Sequence, residues 1–381
     1  MTKQLIYLDH AATTPVSVDV LKVMEPYFSQ KFFNPSANYL LAKEVKADQE
    51  AARFGISQIL GVNSSTITFT AGGTEANNLA IHGLMANYKG YNIVTSDLEH
   101  DSVFNAVTKY EYRMAKVKPD GLIDLDSLLK LIDDKTVLVT LMLANNEIGT
   151  IQPIKDLAKM ITVIRQNRLQ KNNNLPIYIL TDACQAGNFL DLHINNLKVD
   201  FLTLNGSKIY GPKQSGVLYT RAGIKISPII DGGGQENNLR SGTENVPFNI
   251  GLAEALSSSQ SIKKSEVSRL EEIQSKFISK IKTSFPNVVV NGSLKNRLPS
   301  NVHLTFPNVD NERLLFQLDS RRILASAGSA CSASSHKPSR VLSAMGINDE
   351  LIRASIRLTM GRQTTWADMD RTIKVLLELI K

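Results

Sequence analysis

Short β-rich apolar runs alternate with longer helical stretches through the first 220 residues, and this alternation limits the possible folds more than any other feature. The runs at 67–70, 92–96, 136–143, 176–181, 201–204 and 216–220 read as strands, and the stretches at 75–88, 103–110, 125–131 and 154–168 between them read as helices. Alternation of this kind predicts an α/β domain with a mainly parallel sheet. In such sheets ligands sit beyond the carboxyl ends of the strands. From about Pro247 the pattern changes. A long helical stretch, expected to break or bend near 257–261, continues to 285. Strands at 287–290 and 300–306 and helices at 311–319, 338–344 and 366–381 follow it. A second, smaller α+β domain is expected to start near residue 258.

Four strand ends carry unusual residues. After TITFT comes AGGTEANNLAIHG: Gly72 and Gly73 permit a tight turn, Thr74 offers a hydroxyl, and a helix starts at once. A helix N-terminus with unpaired backbone N–H groups is a ready phosphate site, although an ordinary βα turn looks the same. After VLVTLML comes ANNEIGT, a polar cluster that on its own is equally a turn. After IYIL comes TDACQ. Asp182 there ends a buried strand, where a lone carboxylate is costly unless paired; a helix cap is the plain alternative. After VDFLTL comes NGSKIYGPKQSG. Most lysines are solvated, but one at a strand end, aimed into a crevice, can have its amine desolvated and act as a nucleophile or Schiff-base former. Taken together, a phosphate cradle, a buried Asp and such a lysine are what pyridoxal phosphate needs, with the Asp keeping the pyridine nitrogen protonated.

Composition narrows the setting. Two cysteines, Cys184 and Cys331, make neither a disulfide framework nor a CxxC motif, as suits a reducing compartment. Six scattered histidines show no HExxH pairing, so no metal site is expected. The net charge is +7, but the basic residues alternate with acidic ones, so direct nucleic-acid binding is not expected. No apolar run reaches membrane-spanning length, and the N-terminus has no signal or transit pattern; the expected location is the cytoplasm. Cys331 stands in ASAGSACSASSHKPSR, among small residues that give a thiol little to pack against. Free cysteine is usually a buried small hydrophobe, so this setting calls for another explanation.

The sequence resembles the cysteine desulfurases of the class V aminotransferase family, pyridoxal-phosphate enzymes of fold type I. The resemblance runs from YLDHAATTP to SIRLTMGRQTT, nearly the whole chain. Its most diagnostic pieces are GGTEANNLAI, LEHDSV, NNEIGTIQPI, TDACQA, SKIYGPK, GGGQENNLRSGTEN and GSACSASSHKPSRVL. The last resembles the family group with a long Cys loop, here about 325–338. The resemblance implies a large pyridoxal-phosphate-binding α/β domain over 15–257, its mixed sheet flanked by helices. It implies a small α+β domain built from 1–14 and 258–381.

Roles follow from the same resemblance. Lys208 matches the Schiff-base lysine, Asp182 the partner of the pyridine nitrogen, and Gln185 the residue that bonds the ring hydroxyl. His100 matches the histidine stacked on the ring, and it is the expected proton shuttle. Gly73 and Thr74 match phosphate ligands, Asn146 a further cofactor contact, and Thr243 a phosphate ligand donated by the other subunit of a homodimer. Arg357, helped by Asn34, matches the holder of the substrate carboxylate, a task suited to a planar fork. Cys331 matches the cysteine that takes sulfur from L-cysteine. Alanine is then released, and a persulfide passes to an acceptor protein for iron–sulfur assembly or tRNA thiolation.

Some positions depart from the family pattern. Asn205-Gly206-Ser207 stands where Ser-Gly-His is usual, which leaves Asn205 and Ser207 on the phosphate side. Phe33, Tyr39 and Ala42 replace a Gly, a His and a Gly, and Cys184, read as packing, replaces a small residue. Two alternatives stay open on sequence alone. One is another reaction on the same scaffold, transamination or selenocysteine lysis, that needs Lys208 without Cys331. The other is a noncatalytic relative.

Overall fold

The computed structural model describes residues 4–328 and 338–380. In chain order the strands are β1 (Ile6–Tyr7), β2 (Ile67–Thr70), β3 (Asn92–Ser96), β4 (Glu111–Ala115), β5 (Thr136–Thr140), β6 (Tyr178–Asp182), β7 (Phe201–Asn205), β8 (Gly216–Thr220), β9 (Val289–Asn291), β10 (Asn301–Thr305), β11 (Ile323–Leu324) and β12 (Ser355–Thr359). Seven of them form one sheet in the order β2-β8-β7-β6-β5-β3-β4. Strand β8 is antiparallel to both of its neighbours, and every other adjacent pair is parallel. The mixed, mainly parallel sheet expected from the alternation is therefore present.

Both faces of this sheet are covered, as parallel sheets require. On one face Val94, Val139, Ile179, Leu202 and Val217 pack with Leu252 and Leu256 of a long helix. On the other, Leu79 and Leu84 of the helix Gly73–Met85 pack with Ile93, Leu138, Leu180, Phe201 and Leu218. Because the parallel strands point the same way, their carboxyl ends gather the loops at 71–74, 97–100, 141–146, 182–185 and 205–208 along one edge.

A second core forms around the three-stranded antiparallel sheet β12-β10-β9. Here Val302, Leu304, Ile356 and Leu358 pack with Leu270, Phe277, Ile373 and Leu376. Ile6 and Leu8 join this core although they start the chain, and β1 pairs with β11 in parallel. Val341, Leu342, Met345 and Ile352 pack into the core of the large sheet instead.

Several elements differ from the sequence-based expectation, among them β1, β11 and β12 and the helices Val18–Met24, Pro26–Ser29 and Asp349–Ile352, which it did not assign. Three further differences have a clear physical reason. The helix Val246–Ser284 runs for 39 residues without the interruption expected at 257–261. Its serines do not compete with the helix: Ser261 Oγ donates to Ser258 O (2.8 Å) and Ser259 Oγ to Ile209 O (3.3 Å). The helix Leu40–Leu60 was not expected, because its buried face includes Gln49 and Arg53, which interrupt the apolar stripe. Arg53 is neutralised there by Glu236 (2.7 Å). Edge strand β4 also escaped notice. Of its sequence EYRMA only Ala115 is buried, and it carries the charged Glu111 and Arg113, as edge strands commonly do.

Candidate active site

The turn after β2 is shaped by what lies beside it. Gly72 has φ 137°, and Gly73 opens the helix Gly73–Met85. A Cβ at Gly73 would stand 2.6 Å from Cys184 Sγ, so no larger residue fits without displacing that thiol. The first N–H groups of a helix have no partner within it, and Gly73 and Thr74 both line a cavity of about 190 Å³. The end of β7 closes the same side, where Asn205 Oδ1 accepts from the Ser207 N–H (3.0 Å) and from Ser207 Oγ (2.9 Å).

Asp182 ends β6, buried, without capping a helix. Its Oδ1 accepts the Cys184 N–H (2.9 Å) and its Oδ2 accepts from Asn77 Nδ2 (2.8 Å). The same Asn77 amide donates to Ser102 Oγ (2.9 Å), which lies 2.9 Å from His100 Nδ1. His100 is the N-cap of the helix Asp101–Val107. Burial, and then the charge of Asp182, push the Cys184 thiol well up from its ordinary range. Cys184 is thus a neutral lining group, poorly suited to be a nucleophile.

Lys208 lies in the turn after β7, and its Nζ donates to Ala12 O. Gln185 Nε2 donates to Ala11 O (3.0 Å), so the N-terminal Ala11-Ala12 segment is fastened across the cavity from two sides. Arg357, on β12 of the smaller sheet, is 1% exposed and still lines the cavity. It donates through one terminal nitrogen to Asn146 O (2.9 Å) and through the other to Asp9 Oδ1 (2.7 Å). A cation this deeply buried needs both partners.

The cavity therefore brings together Gly73, Thr74, His100, Asn146, Asp182, Gln185, Asn205, Lys208 and Arg357. Three expected site residues lie outside its lining. Ser207 turns its hydroxyl to Asn205. Asn34 is exposed and accepts the Ser36 N–H (2.9 Å) in a local turn. Thr243 is exposed, on a loop held by Glu236, whose carboxylate takes Arg53 and the Phe69 N–H (2.8 Å). Cys331 lies outside the described residues. Its segment resumes beside the cavity: Ser339 Oγ donates to Glu147 (2.5 Å), and Arg340 donates to Glu99 O (2.6 Å) and lies over the Phe104 ring.

This donor set fits pyridoxal phosphate. It offers a helix start for the phosphate, a buried carboxylate for the ring nitrogen and a primary amine for the aldehyde. No group of His, Cys, Asp and Glu among the described residues has the arrangement of a metal site.

Sequence reasoning passed over four residues here: Asn77, Ser102, Asp9 and Glu99. Asn77 gave a signal in retrospect, as a polar residue four positions after Gly73 on an otherwise apolar helix face. Glu99 is 1% exposed and accepts the Met142 N–H (2.9 Å). Burial, then the charge of Asp182, raise its pKa from 4.5 to about 8. A pKa raised by folding means that the neutral acid favours the fold. That contribution is full below about pH 4.5 and is lost as pH rises through about 8. Glu99→Gln, which cannot ionise, is expected to melt at least about 2 °C above the wild type at pH 9 and level with it at pH 4. Calorimetry at both pH values checks this, and an equal difference at both would contradict it.

Comparison with known proteins places the molecule. The family model for aminotransferase class V matches residues 6–371. The cysteine desulfurase IscS of Dictyoglomus turgidum is 40% identical over 386 residues, covering 100% of this chain and 95% of that protein. Among solved structures, a NifS-like protein superposes with a TM-score of 0.90 at 29% identity, with 99% of each chain covered. SspA, solved in complex with cysteine, gives 0.79 at 32% identity, covering 93% of this chain and 98% of that one. The chain belongs to the class V aminotransferase family and, within it, to the cysteine desulfurases, which are pyridoxal-phosphate enzymes.

Proposed function

We propose that this enzyme takes sulfur from L-cysteine, releases L-alanine and leaves a persulfide on Cys331. The observation that carries this reading is the convergence of Lys208, Asp182 and Arg357 on one cavity beside which the Cys331 segment resumes. Pyridoxal phosphate, when bound, supplies an aldehyde that condenses with amines and a ring that draws electrons from the substrate α-carbon. Gly73, Thr74 and Asn205 hold its phosphate, Asp182 its ring nitrogen and Gln185 its ring hydroxyl, while Asn146 and His100 bound the ring. Arg357 holds the substrate carboxylate. The Lys208 amine takes the α-proton, a general-base step. The thiolate of Cys331 attacks the substrate sulfur, the C–S bond breaks, and the three-carbon remainder gains protons and leaves as alanine. His100 carries the protons.

The persulfide then passes to an acceptor protein, an iron–sulfur scaffold or a tRNA-thiolating enzyme. We propose a homodimer in the cytoplasm, its large domain at 15–257 and its small one at 1–14 with 258–381. Two separate cores support the division, although Val341, Leu342, Met345 and Ile352 of the second range pack with the first core. The dimer is supported by Val18, Leu21, Phe28, Phe32, Leu40 and Leu41, large apolar residues exposed in the single chain. Thr243 and Asn34, both exposed and outside the chain's own cavity, would be contributed to the partner's site. No helix of the described residues is long and apolar enough to cross a membrane.

Cys331→Ala tests the central assignment. The variant is expected to keep the yellow colour of the bound cofactor and to lose alanine release by at least roughly a hundredfold, since its nucleophile is gone. Steady alanine release at the wild-type rate would remove Cys331 from this role.

A further inference from the structure

The hydrogen bonds around His100 fix which ring nitrogen carries its proton. His100 caps its helix by accepting the Ser102 N–H at Nδ1 (3.1 Å). A backbone N–H can only donate, so Nδ1 offers its lone pair. The Ser102 hydroxyl lies 2.9 Å from the same nitrogen, and its direction follows from the other end of a chain of bonds. An ionised Asp182 can only accept, so the group facing its Oδ2 at 2.8 Å is the NH2 of Asn77. Thr203 Oγ1 donates to Asn77 Oδ1 (2.8 Å), which agrees with that orientation. The second N–H of Asn77 goes to Ser102 Oγ (2.9 Å). Ser102 therefore accepts from Asn77, and its single hydroxyl proton is left for His100 Nδ1.

We propose that Ser102, oriented by Asn77, is a positioning residue that locks the neutral His100 ring in the tautomer protonated at Nε2. Nδ1 is held as an acceptor by two donors, so proton exchange with substrate is confined to Nε2. Protonating Nδ1 would set an N–H against the Ser102 backbone N–H and force the hydroxyl to turn back on Asn77. The chain of bonds also ends on Asp182. The partner of the cofactor's ring nitrogen and the proton carrier are thereby oriented by one Asn–Ser link, each through a donor that cannot be reversed without breaking the other. Ser102 lines the cavity wall beside His100 and takes no part in the reacting bonds in this scheme; it acts through His100. Asn77 is fully buried (0% exposed) and its bonds to Asp182 and Ser102 are buried, so water competes little at that end of the link.

The proposal rests on the reading of His100 as the proton carrier, and the test separates the two. The holoenzyme is labelled with 15N at its six histidines, and the His100 signals are assigned by difference against His100→Gln. In the neutral ring Nε2 is expected as the protonated nitrogen and Nδ1 as the unprotonated one. Ser102→Ala is expected to shift the Nδ1 signal and lower kcat roughly tenfold, the effect of one lost hydrogen bond, with KM for cysteine within about twofold. Ser102→Thr, which keeps the hydroxyl, is expected to recover most of kcat and the wild-type Nδ1 signal. A wild-type ring protonated at Nδ1 would overturn the proposal. So would a Ser102→Ala enzyme with unchanged kcat and an unchanged Nδ1 signal. Wild-type turnover in His100→Gln would instead sink the proton-carrier reading, while the wild-type ring signals still decide the tautomer.

Discussion

Lys208→Ala is expected to lose cysteine turnover by at least roughly a thousandfold, the combined loss of the two roles proposed for it, general base and cofactor-carrying amine. The visible absorption of the lysine-bound cofactor is expected to vanish with it. Among the described residues no other lysine lines the cavity. Lys208 sits in the turn Gly206–Lys208 directly after β7, and its Nζ is directed at Ala12 O across the cavity. Lys213, the next lysine along the chain, donates instead to Thr14 O (3.0 Å) and is not in the cavity lining. The backbone of the turn is held separately, by the Gly206 N–H to Ser215 O (2.9 Å) and by Asn188 Nδ2 to Lys208 O (2.7 Å). The variant is therefore expected to fold, and a matching circular dichroism spectrum would confirm it. Normal visible absorption in this variant would show that another lysine holds the cofactor.

Arg357→Ala is expected to be nearly as damaging, by a different route. Its guanidinium is the buried cation of the cavity. Asn146 O and Asp9 fix it from two directions, and β10 runs beside it with His303 directly opposite. Removing one partner of a buried, hydrogen-bonded charge pair costs about 2–5 kcal/mol, which corresponds to roughly 30- to several-thousand-fold in kcat/KM. The loss should fall mainly on KM for cysteine, because the carboxylate does not change charge during the reaction. A smaller loss of stability is also expected, since Asp9 is left without its cation. Arg357→Lys keeps the charge but not the fork and should fall in between. An Arg357→Ala enzyme with wild-type KM would place the carboxylate elsewhere.

Much of this site could be read from the sequence because its parts follow strands. A βα turn shows itself by glycines after an apolar run, and Asp182 and Lys208 each interrupt an apolar pattern where a structural residue would continue it. The separate pieces were ambiguous, and only their joint occurrence in one α/β domain pointed to a cofactor. Arg357 is different. It belongs to the smaller sheet, and only the family resemblance marked it, since an arginine within SIRLT looks like any exposed position of an edge strand. The network through Asn77 and Ser102 was hidden for another reason: it depends on side chains from three elements meeting, which no local pattern reports. The helix Leu40–Leu60 was missed because its buried Arg53 is neutralised by Glu236, 183 residues away. Burial of a charge is a tertiary fact, and a periodicity argument counts such a residue as solvent-facing.

The most direct test of the account is a single turnover without added thiol. The holoenzyme is mixed with one equivalent of 35S-cysteine per chain, alanine is measured, and the peptides are mapped by mass spectrometry. The account predicts alanine and protein-bound sulfur in equal amounts, with the extra sulfur on the peptide that contains Cys331 and none on Cys184. Alanine released with the label on Cys184, or with no label on the protein, would contradict it.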